Sequence, residues 1–289
     1  MRLLDPKPLL GQLPPSVSKF LAGPLSAVLR LEDLNEVYRM LRGQPIADGE
    51  LFGRTLELLG IRTDVEEDDL RRIPESGATV LVANHPFGAL DGLVAGALAL
   101  RRRQDVRLLG NDVLARMEEF RPWLVGVQVF GAEARHNTAP LRDALRHLQR
   151  GGLLIVFPAG VVSHWQQQRG AVADSPWHRT AAALARLSDA RVVPLWFDGQ
   201  NTALFQLAGM LHPGARTALL PRELMAKRGS AVRARLGVAL EADELRALGG
   251  DAAATDWMRL RTYALSDASP LRHAARIPAF ARRREEPTI

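Results

Sequence analysis

The chain has 289 residues, of which 47% are hydrophobic and 24% charged, a composition typical of globular proteins and not of disordered or fibrous ones. It has no cysteine, which excludes disulfides, thiolate metal sites and a cysteine nucleophile. With 38 Lys and Arg against 32 Asp and Glu the net charge is +6, which is compatible with nucleic acid, anionic lipid or acidic substrates as partners.

The location of the protein follows from its apolar runs. No run approaches the roughly 18 apolar residues that a membrane-spanning helix needs. Residues 1–10 carry Asp5 and two prolines where a secretory signal has its apolar core. We therefore expect a cytoplasmic protein, or one that lies on the inner face of the cytoplasmic membrane.

The two ends of the chain differ in predicted structure. Apolar side chains recur at helical spacing over residues 15–30, and further helices are predicted over residues 31–41 and 49–59. We treat residues 1–60 as an N-terminal helical segment that packs on the core or faces a membrane. Residues 270–289 form a basic C-terminal tail.

Residues 61–269 alternate between predicted strands and predicted helices. This alternation predicts one α/β domain with a mostly parallel central sheet flanked by helices. The predicted strands cover residues 78–83, 106–109, 125–130, 153–157, 192–197 and 233–238, and the predicted helices cover residues 90–100, 138–149, 177–187 and 241–248.

A histidine and an aspartate follow the first of these strands. Residues 84–92 read Asn-His-Pro-Phe-Gly-Ala-Leu-Asp-Gly, and in parallel sheets reactive groups collect at the carboxyl ends of the strands. Asp91 can hold one ring nitrogen of His85, which leaves the other nitrogen free to take a proton from a hydroxyl or an amine. The alternative is an aspartate that caps a helix and a histidine that merely satisfies a turn.

Residues 84–92 resemble the His-Asp motif of the glycerolipid and lysophospholipid acyltransferases. Five residues separate His85 from Asp91 where four are usual, as in a bacterial hemolysin-like subgroup related to ornithine-lipid O-acyltransferases. The resemblance continues in the family's order over residues 80–237. It includes residues 109–114 with Arg121 and Pro122, residues 151–160, residues 193–201 with 204–207, residues 220–224 and residues 227–229.

The resemblance implies a glycerol-3-phosphate acyltransferase-like fold over residues 61–269. It also implies the transfer of a fatty acyl group from acyl carrier protein or coenzyme A to a hydroxyl of a lyso-lipid. The acceptor would be a lysophospholipid or a lyso-amino-acid lipid such as lyso-ornithine lipid. His85 would act as the general base and Asp91 would orient it, with no cofactor and no metal. Contact with a membrane surface is expected from the lipid substrates and from the apolar helix at residues 15–30.

Candidate substrate-binding residues lie in the matched segments and between them. Arginines suit an acidic head group or the phosphates of the acyl donor, and glycines allow a close approach of the backbone. Residues 157–160 resemble the family's Phe-Pro-Glu-Gly segment, which is associated with the acceptor head group. The candidates are Asn84, Gly88, Asn111, Arg121, Arg135, Phe157, Pro158, Gly160 and Arg222.

One position departs from the subgroup. After Phe-Pro-Ala-Gly the subgroup has a glutamate, and this chain has Val161, whose side chain accepts no hydrogen bond. A catalytically impaired or repurposed lipid-binding homologue is therefore the alternative. Nucleic-acid binding is less favoured, because dense basic runs occur only at residues 101–103 and 282–284 and no nucleic-acid motif is present.

Overall fold

The computed structural model describes residues 25–43, 46–47, 49–128 and 137–267. The helices are α1 Leu31–Arg42, α2 Leu51–Leu58, α3 Glu67–Leu70, α4 Ala89–Leu100, α5 Thr138–Gln149, α6 Thr180–Leu187, α7 Ala203–Leu211, α8 Pro213–Ala226, α9 Ala242–Ala247 and α10 Asp251–Tyr263. The strands are β1 Arg62–Asp64, β2 Thr79–Ala83, β3 Val106–Asn111, β4 Leu124–Val127, β5 Leu153–Val156, β6 His164–Gln166, β7 Ala171–Ala173, β8 Arg191–Phe197 and β9 Ala231–Leu236.

The central sheet has the strand order β1-β9-β8-β2-β5-β3-β4. The five strands from β8 to β4 are parallel to one another. Strand β9 pairs antiparallel with β8, and β1 is parallel to β9. The prediction of a mostly parallel central sheet is therefore confirmed, with two strands of opposite direction at one side. The carboxyl ends of β2, β3, β5 and β8 meet at one edge of the sheet.

Helices cover both faces of the sheet because its central strands are apolar on both sides. In β2, Leu81 packs into one core cluster with residues of α2, α4 and α8, whereas Val80 and Val82 pack into a second cluster with residues of α5, α6 and α10. This alternation follows from the period of two along a strand. Continuous apolar strands of this kind are typical of parallel sheets buried between helix layers.

The predicted strands and helices of residues 61–269 are present, with ends that shift by a few residues. Their largest shift is in the helix predicted from residue 177, which begins at Thr180. The strand predicted over residues 125–130 is β4, and the end of that range lies outside the described residues. The sequence pattern did not predict β1, α3, the two-stranded hairpin of β6 and β7, or helices α7, α8 and α10.

Within the predicted N-terminal helical segment, the described helices α1 and α2 pack on the α/β core. Phe52 of α2 is buried beside Gly96 of α4. Most of the helix predicted over residues 15–30, and the tail from residue 270, lie outside the described residues. In the part of the chain that the structure describes, no helix meets the length and apolarity required for a membrane span.

The contact between α2 and α4 makes a testable prediction about packing. A Cβ at Gly96 would lie 2.5 Å from the Phe52 ring, which is itself held edge-on by Phe120 and Trp123. We expect Gly96→Ala to lower the free energy of unfolding by about 1–3 kcal/mol, because the ring has to move. Chemical denaturation measures the change.

The control for this prediction is Gly53→Ala in α2, where a Cβ would meet no atom within 4 Å. That substitution should leave stability unchanged or raise it by up to about 1 kcal/mol, since alanine favours helix. Equal effects of the two substitutions would contradict the packing argument.

Candidate active site

The candidate site lies at the carboxyl end of the central strand β2. At its centre are His85, in the loop after the strand, and Asp91, in the first turn of α4. Nδ1 of His85 lies 2.8 Å from Oδ2 of Asp91. The Asp91 side chain is fully buried, whereas 17% of the His85 side chain is exposed. Because Nδ1 is itself buried, the exposed part of the ring lies elsewhere, and Nε2 is the nitrogen that can meet a ligand.

The same carboxylate closes the loop between β2 and α4. Oδ2 of Asp91 accepts hydrogen bonds from the backbone N–H groups of Phe87 and Gly88, both at 2.9 Å. These amides stand at the start of α4, where a helix leaves N–H groups without internal partners. One oxygen therefore caps the helix and also holds His85. The capping role and the histidine-holding role, which the sequence posed as alternatives, coexist in Asp91.

Gly88 is required by the shape of this loop. Its φ of 93° lies in the left-handed region, which favours glycine. A Cβ at this position would lie 3.1 Å from Leu220 and 3.3 Å from Val162. Glycine at position 88 was predicted to allow another group close to the backbone. The groups that come close are side chains of the protein itself.

The electrostatics of Asp91 follow from its burial. Burial raises the pKa of the Asp91 carboxyl above its ordinary range, because the ionised form loses its hydration. The neighbouring His85 and the amides of Phe87 and Gly88 oppose this increase. Oδ1 of Asp91 is buried and accepts no hydrogen bond within the described residues. An ionised Asp91 is therefore stabilised when His85 takes a proton and becomes positive.

Phe157 forms one wall of the histidine site. Its ring stacks on the His85 imidazole with centroids 4.3 Å apart and planes 24° apart. Phe157 follows β5, and the turn after it is closed by a hydrogen bond of 3.0 Å from the N–H of Gly160 to the carbonyl of Phe157. Pro158 is buried, and its carbonyl accepts a hydrogen bond from the N–H of His178. The parallel pairing of β2 and β5 thus brings the two predicted motifs side by side.

The amide of Asn84 pairs with the backbone of the neighbouring strand. Nδ2 donates to the carbonyl of Phe197 at 2.9 Å, and the N–H of Phe197 donates to Oδ1 at 2.7 Å. Both ends of the amide are occupied by these bonds. Asn84 therefore joins the carboxyl ends of β2 and β8 directly beside His85, a role that the sequence analysis did not predict.

A second buried carboxylate, Asp174, supports the site and was missed from the sequence. Its Oδ1 accepts hydrogen bonds from the N–H of His85, at 3.2 Å, and from the hydroxyl of Ser163. Its Oδ2 accepts from the indole N–H of Trp177 at 2.8 Å. The N–H of Ser163 in turn donates to the carbonyl of His85 at 2.8 Å. Asp174 therefore holds the backbone that carries the imidazole and ties it to the loop after β5.

Comparisons with known proteins identify the family of this chain. The model of the acyltransferase family matches residues 9–272. The chain belongs to the acyltransferase family. Two curated relatives, from Phocaeicola vulgatus and Bacteroides thetaiotaomicron, are each named lyso-glycine lipid O-acyltransferase and are each 26% identical, over 194 and 191 residues.

These matches cover 65% of this acyltransferase-family chain, and 65% and 66% of the two relatives, which is less than two thirds of their length. The structure is also similar to the crystal structure of the 1-acyl-sn-glycerophosphate acyltransferase of Thermotoga maritima. That similarity has a TM-score of 0.48 and 13% sequence identity, over 94% of this chain and 99% of the other.

Of the remaining predicted site residues of this family member, one lies at the same edge of the sheet as His85 and Asp91, the pair that we call the dyad. Asn111 ends β3 and so lies at the same edge of the sheet as His85. Arg121 is exposed and donates to the carbonyl of Ala115, and Arg222 donates to the carbonyl of Val28. Within the described residues, no hydrogen bond or ion pair joins either arginine to the dyad. Arg135 lies outside the described residues.

Two backbone N–H groups of this acyltransferase-family site already donate hydrogen bonds within the protein. Backbone amides near Gly160 and at the start of α4 are candidate hydrogen-bond donors for an oxyanion. The N–H of Gly160 donates to the carbonyl of Phe157, and the N–H of Gly88 donates to Oδ2 of Asp91.

No group of three or more His, Asp or Glu side chains that could hold a metal ion occurs among the described residues.

The burial of Asp91 predicts a pH dependence of stability. Since burial raises the pKa of Asp91, the folded state binds this proton more readily than the unfolded chain does. The resulting stabilisation is complete below the ordinary pKa of a carboxyl and is lost as the pH rises through the raised value. The neutral Asp91→Asn variant has no such loss. Its free energy of unfolding should therefore rise relative to that of the wild type as the pH increases from about 4, the ordinary pKa of a carboxyl, through the raised value.

Urea denaturation at several pH values measures this difference. Asp68→Asn is the matched control, because the Asp68 side chain is 84% exposed. A difference between Asp91→Asn and the wild type that stays constant with pH would contradict the assignment of a raised pKa to Asp91.

Proposed function

We propose that this protein transfers a fatty acyl group from an acyl thioester, carried by acyl carrier protein or coenzyme A, to a hydroxyl of a lyso-lipid. The observation that carries the proposal is the 2.8 Å contact between Nδ1 of His85 and the fully buried Asp91. This contact lies at the sheet edge where α/β proteins bind their ligands. Membership of the acyltransferase family supports the same reaction class.

His85 acts as the general base in this proposal. The acceptor hydroxyl donates its hydrogen bond to Nε2, and its oxygen attacks the carbonyl carbon of the thioester while the proton passes to Nε2. The carbon–sulfur bond then breaks, and the departing thiolate takes the proton back from the imidazolium. Asp91 keeps the ring oriented throughout and balances its positive charge while the proton is held there. These steps require no cofactor and no metal.

The acceptor is proposed to be a lyso-lipid, and the names of the two relatives favour a lyso-amino-acid lipid over a lysophospholipid. Those relatives are named for a lyso-glycine lipid as acceptor. A head group of this kind carries a carboxylate, which suits a bidentate arginine contact. Arg121, Arg135 and Arg222 remain the proposed candidates, together with Asn111 and the backbone around residues 157–160.

Val161 favours a second candidate function. It is partly exposed and follows Gly160, whose positive φ of 68° turns the chain at the end of the Phe157 segment. A valine there provides no polar group for an acceptor. A catalytically impaired lipid-binding homologue would keep the dyad and lose turnover.

Nucleic-acid binding receives no support from the basic run at residues 101–103. In the fold these three arginines pair with carboxylates. Arg101 pairs with Glu67 at 2.9 Å, Arg102 with Glu75 at 2.7 Å and Arg103 with Asp105 at 2.6 Å.

The role of His85 is tested by removing its imidazole. We expect His85→Ala to lower the rate of acyl transfer by about 10²–10⁴-fold, because the general base is lost. Lipid mass spectrometry of cells that express each variant, and acyl transfer by the purified proteins, measure the effect. His178→Ala, which removes an exposed histidine, is the control and should keep wild-type activity. An acylated lipid that persists undiminished in the His85→Ala cells would refute the general-base assignment.

The role of Val161 is tested by restoring the subgroup's residue. Val161→Glu supplies a carboxylate that can accept hydrogen bonds, and we expect it to change either the preferred acceptor or the amount of product. The same mass spectrometry, with lyso-amino-acid lipids and lysophospholipids offered separately, measures the acceptor ratio. Val161→Gln distinguishes hydrogen bonding from charge. An unchanged ratio and an unchanged yield in both variants would show that position 161 does not contact the acceptor.

A further inference from the structure

Helix α7 exposes an unusually apolar surface. Its nine residues include no charged side chain, and only Phe205 is buried. Leu204, Leu207 and Leu211 share one face of the helix at spacings of three and four residues. The exposed fractions are 44% for Leu204, 59% for Leu207, 65% for Met210 and 88% for Leu211. A helix packed on a core normally turns polar residues to water, so this apolar face requires another partner.

Trp165 extends this apolar surface onto the β6–β7 hairpin. Its side chain is 40% exposed. Its backbone N–H donates to Oε1 of Gln206 on α7 at 2.9 Å, which ties the hairpin to the helix. Tryptophan suits a boundary between apolar and polar surroundings, since its ring is apolar and its N–H is polar. We use the name α7 surface for Trp165, Leu204, Leu207, Met210 and Leu211.

Within residues 199–230, which contain α7 and α8, the charged side chains that reach solvent are all cations. Between residues 199 and 230 the only carboxylate is Glu223, which is 1% exposed and accepts two hydrogen bonds from Thr202. The stem of Arg216 lies against α7, since a Cβ at Gly209 would be 3.0 Å from its Cδ. An arginine in this position can lie along apolar surface while its charge stays in water. The four cations of this range are Arg216, Arg222, Lys227 and Arg228.

The inner sides of α7 and α8 connect this surface to the candidate active site. Phe205 and Leu219 pack in one buried cluster with Val162, which follows the Phe157 segment. Leu220 lies against Gly88 in the loop that carries His85. Buried side chains of α7 and α8 therefore join the α7 surface to the loops that carry the site.

We propose that the α7 surface docks the protein on an anionic phospholipid bilayer, with its leucines in the acyl boundary and its arginines among the head groups. This arrangement matches an apolar face that has Arg216 beside it and further cations in the same stretch of chain. A second copy of the chain fits this surface less well. A two-fold contact would bring the cations of both copies together, and residues 199–230 provide no exposed carboxylate to pair with them. The inference deepens the proposed function, on which it rests for the delivery of a lipid acceptor.

The test is sedimentation of the full chain with phosphatidylcholine vesicles, with and without phosphatidylglycerol. We expect the wild type to bind the vesicles that contain phosphatidylglycerol and to be released by high salt. Leu207→Glu/Leu211→Glu should bind them about tenfold more weakly or worse, because two apolar contacts become repulsive charges. The matched control is Leu187→Glu/Leu260→Glu, which changes leucines of α6 and α10 that are 65% and 57% exposed. The control should bind like the wild type.

Equal vesicle binding by the two double variants would overturn the proposal. Light scattering during gel filtration measures the oligomeric state and provides a second test. A wild-type dimer that becomes a monomer in Leu207→Glu/Leu211→Glu while vesicle binding is retained would overturn the proposal. That result would make the α7 surface an interface between copies of the chain. Thermal unfolding checks that the variants fold. Met210→Gln/Leu211→Gln replaces the glutamate variant if that variant does not fold, and it should also weaken binding.

Activity separates this inference from the proposed function. With a water-soluble short-chain acceptor, Leu207→Glu/Leu211→Glu should keep wild-type turnover, and with a vesicle-borne acceptor it should lose turnover. Vesicle binding without acyl transfer by the wild type would refute the proposed function and leave the docking inference in place. Acyl transfer to vesicle lipids that does not depend on the α7 surface would refute the docking inference alone.

Discussion

The site depends on one buried oxygen atom. Oδ2 of Asp91 lies 2.8 Å from Nδ1 of His85 and accepts hydrogen bonds from the amides of Phe87 and Gly88. The start of α4, the shape of the loop and the direction of the imidazole are therefore set by the same atom. Because Asp91 is fully buried, its negative charge is costly until His85 becomes positive.

A second buried carboxylate holds the same histidine through its backbone. Asp174 accepts hydrogen bonds from the N–H of His85 and from the hydroxyl of Ser163, while Phe157 stacks on the imidazole. These contacts join the loops that follow β2 and β5, which are neighbouring strands. A side chain supported by its ring, its Nδ1 and its main chain keeps few rotamers, and such pre-organisation is what a general base requires.

The fold was predictable because its main signals are local. Strands such as β5 are short apolar runs bounded by glycine and proline, and they appear in the sequence much as they do in the structure. Helix α7 was missed because its apolar residues are not confined to one face, and α8 contains a proline in its interior. The strands of the β6–β7 hairpin have three residues each, too few to show alternation. Where the apolar periodicity of a segment is weak, tertiary contacts decide whether the segment forms a helix or a strand.

By itself, the sequence determined the α/β fold and the family resemblance, and it indicated the pairing of His85 with Asp91. The fold depends on the apolar period, and the pairing depends on residues six positions apart in one strand–loop–helix unit. Only the tertiary structure decided that Asn84 binds the backbone of Phe197 and that Asp174 holds the N–H of His85. Those partners are 113 and 89 residues apart in the chain. No local pattern encodes such contacts, since they exist only after the parallel strands have brought their carboxyl ends together.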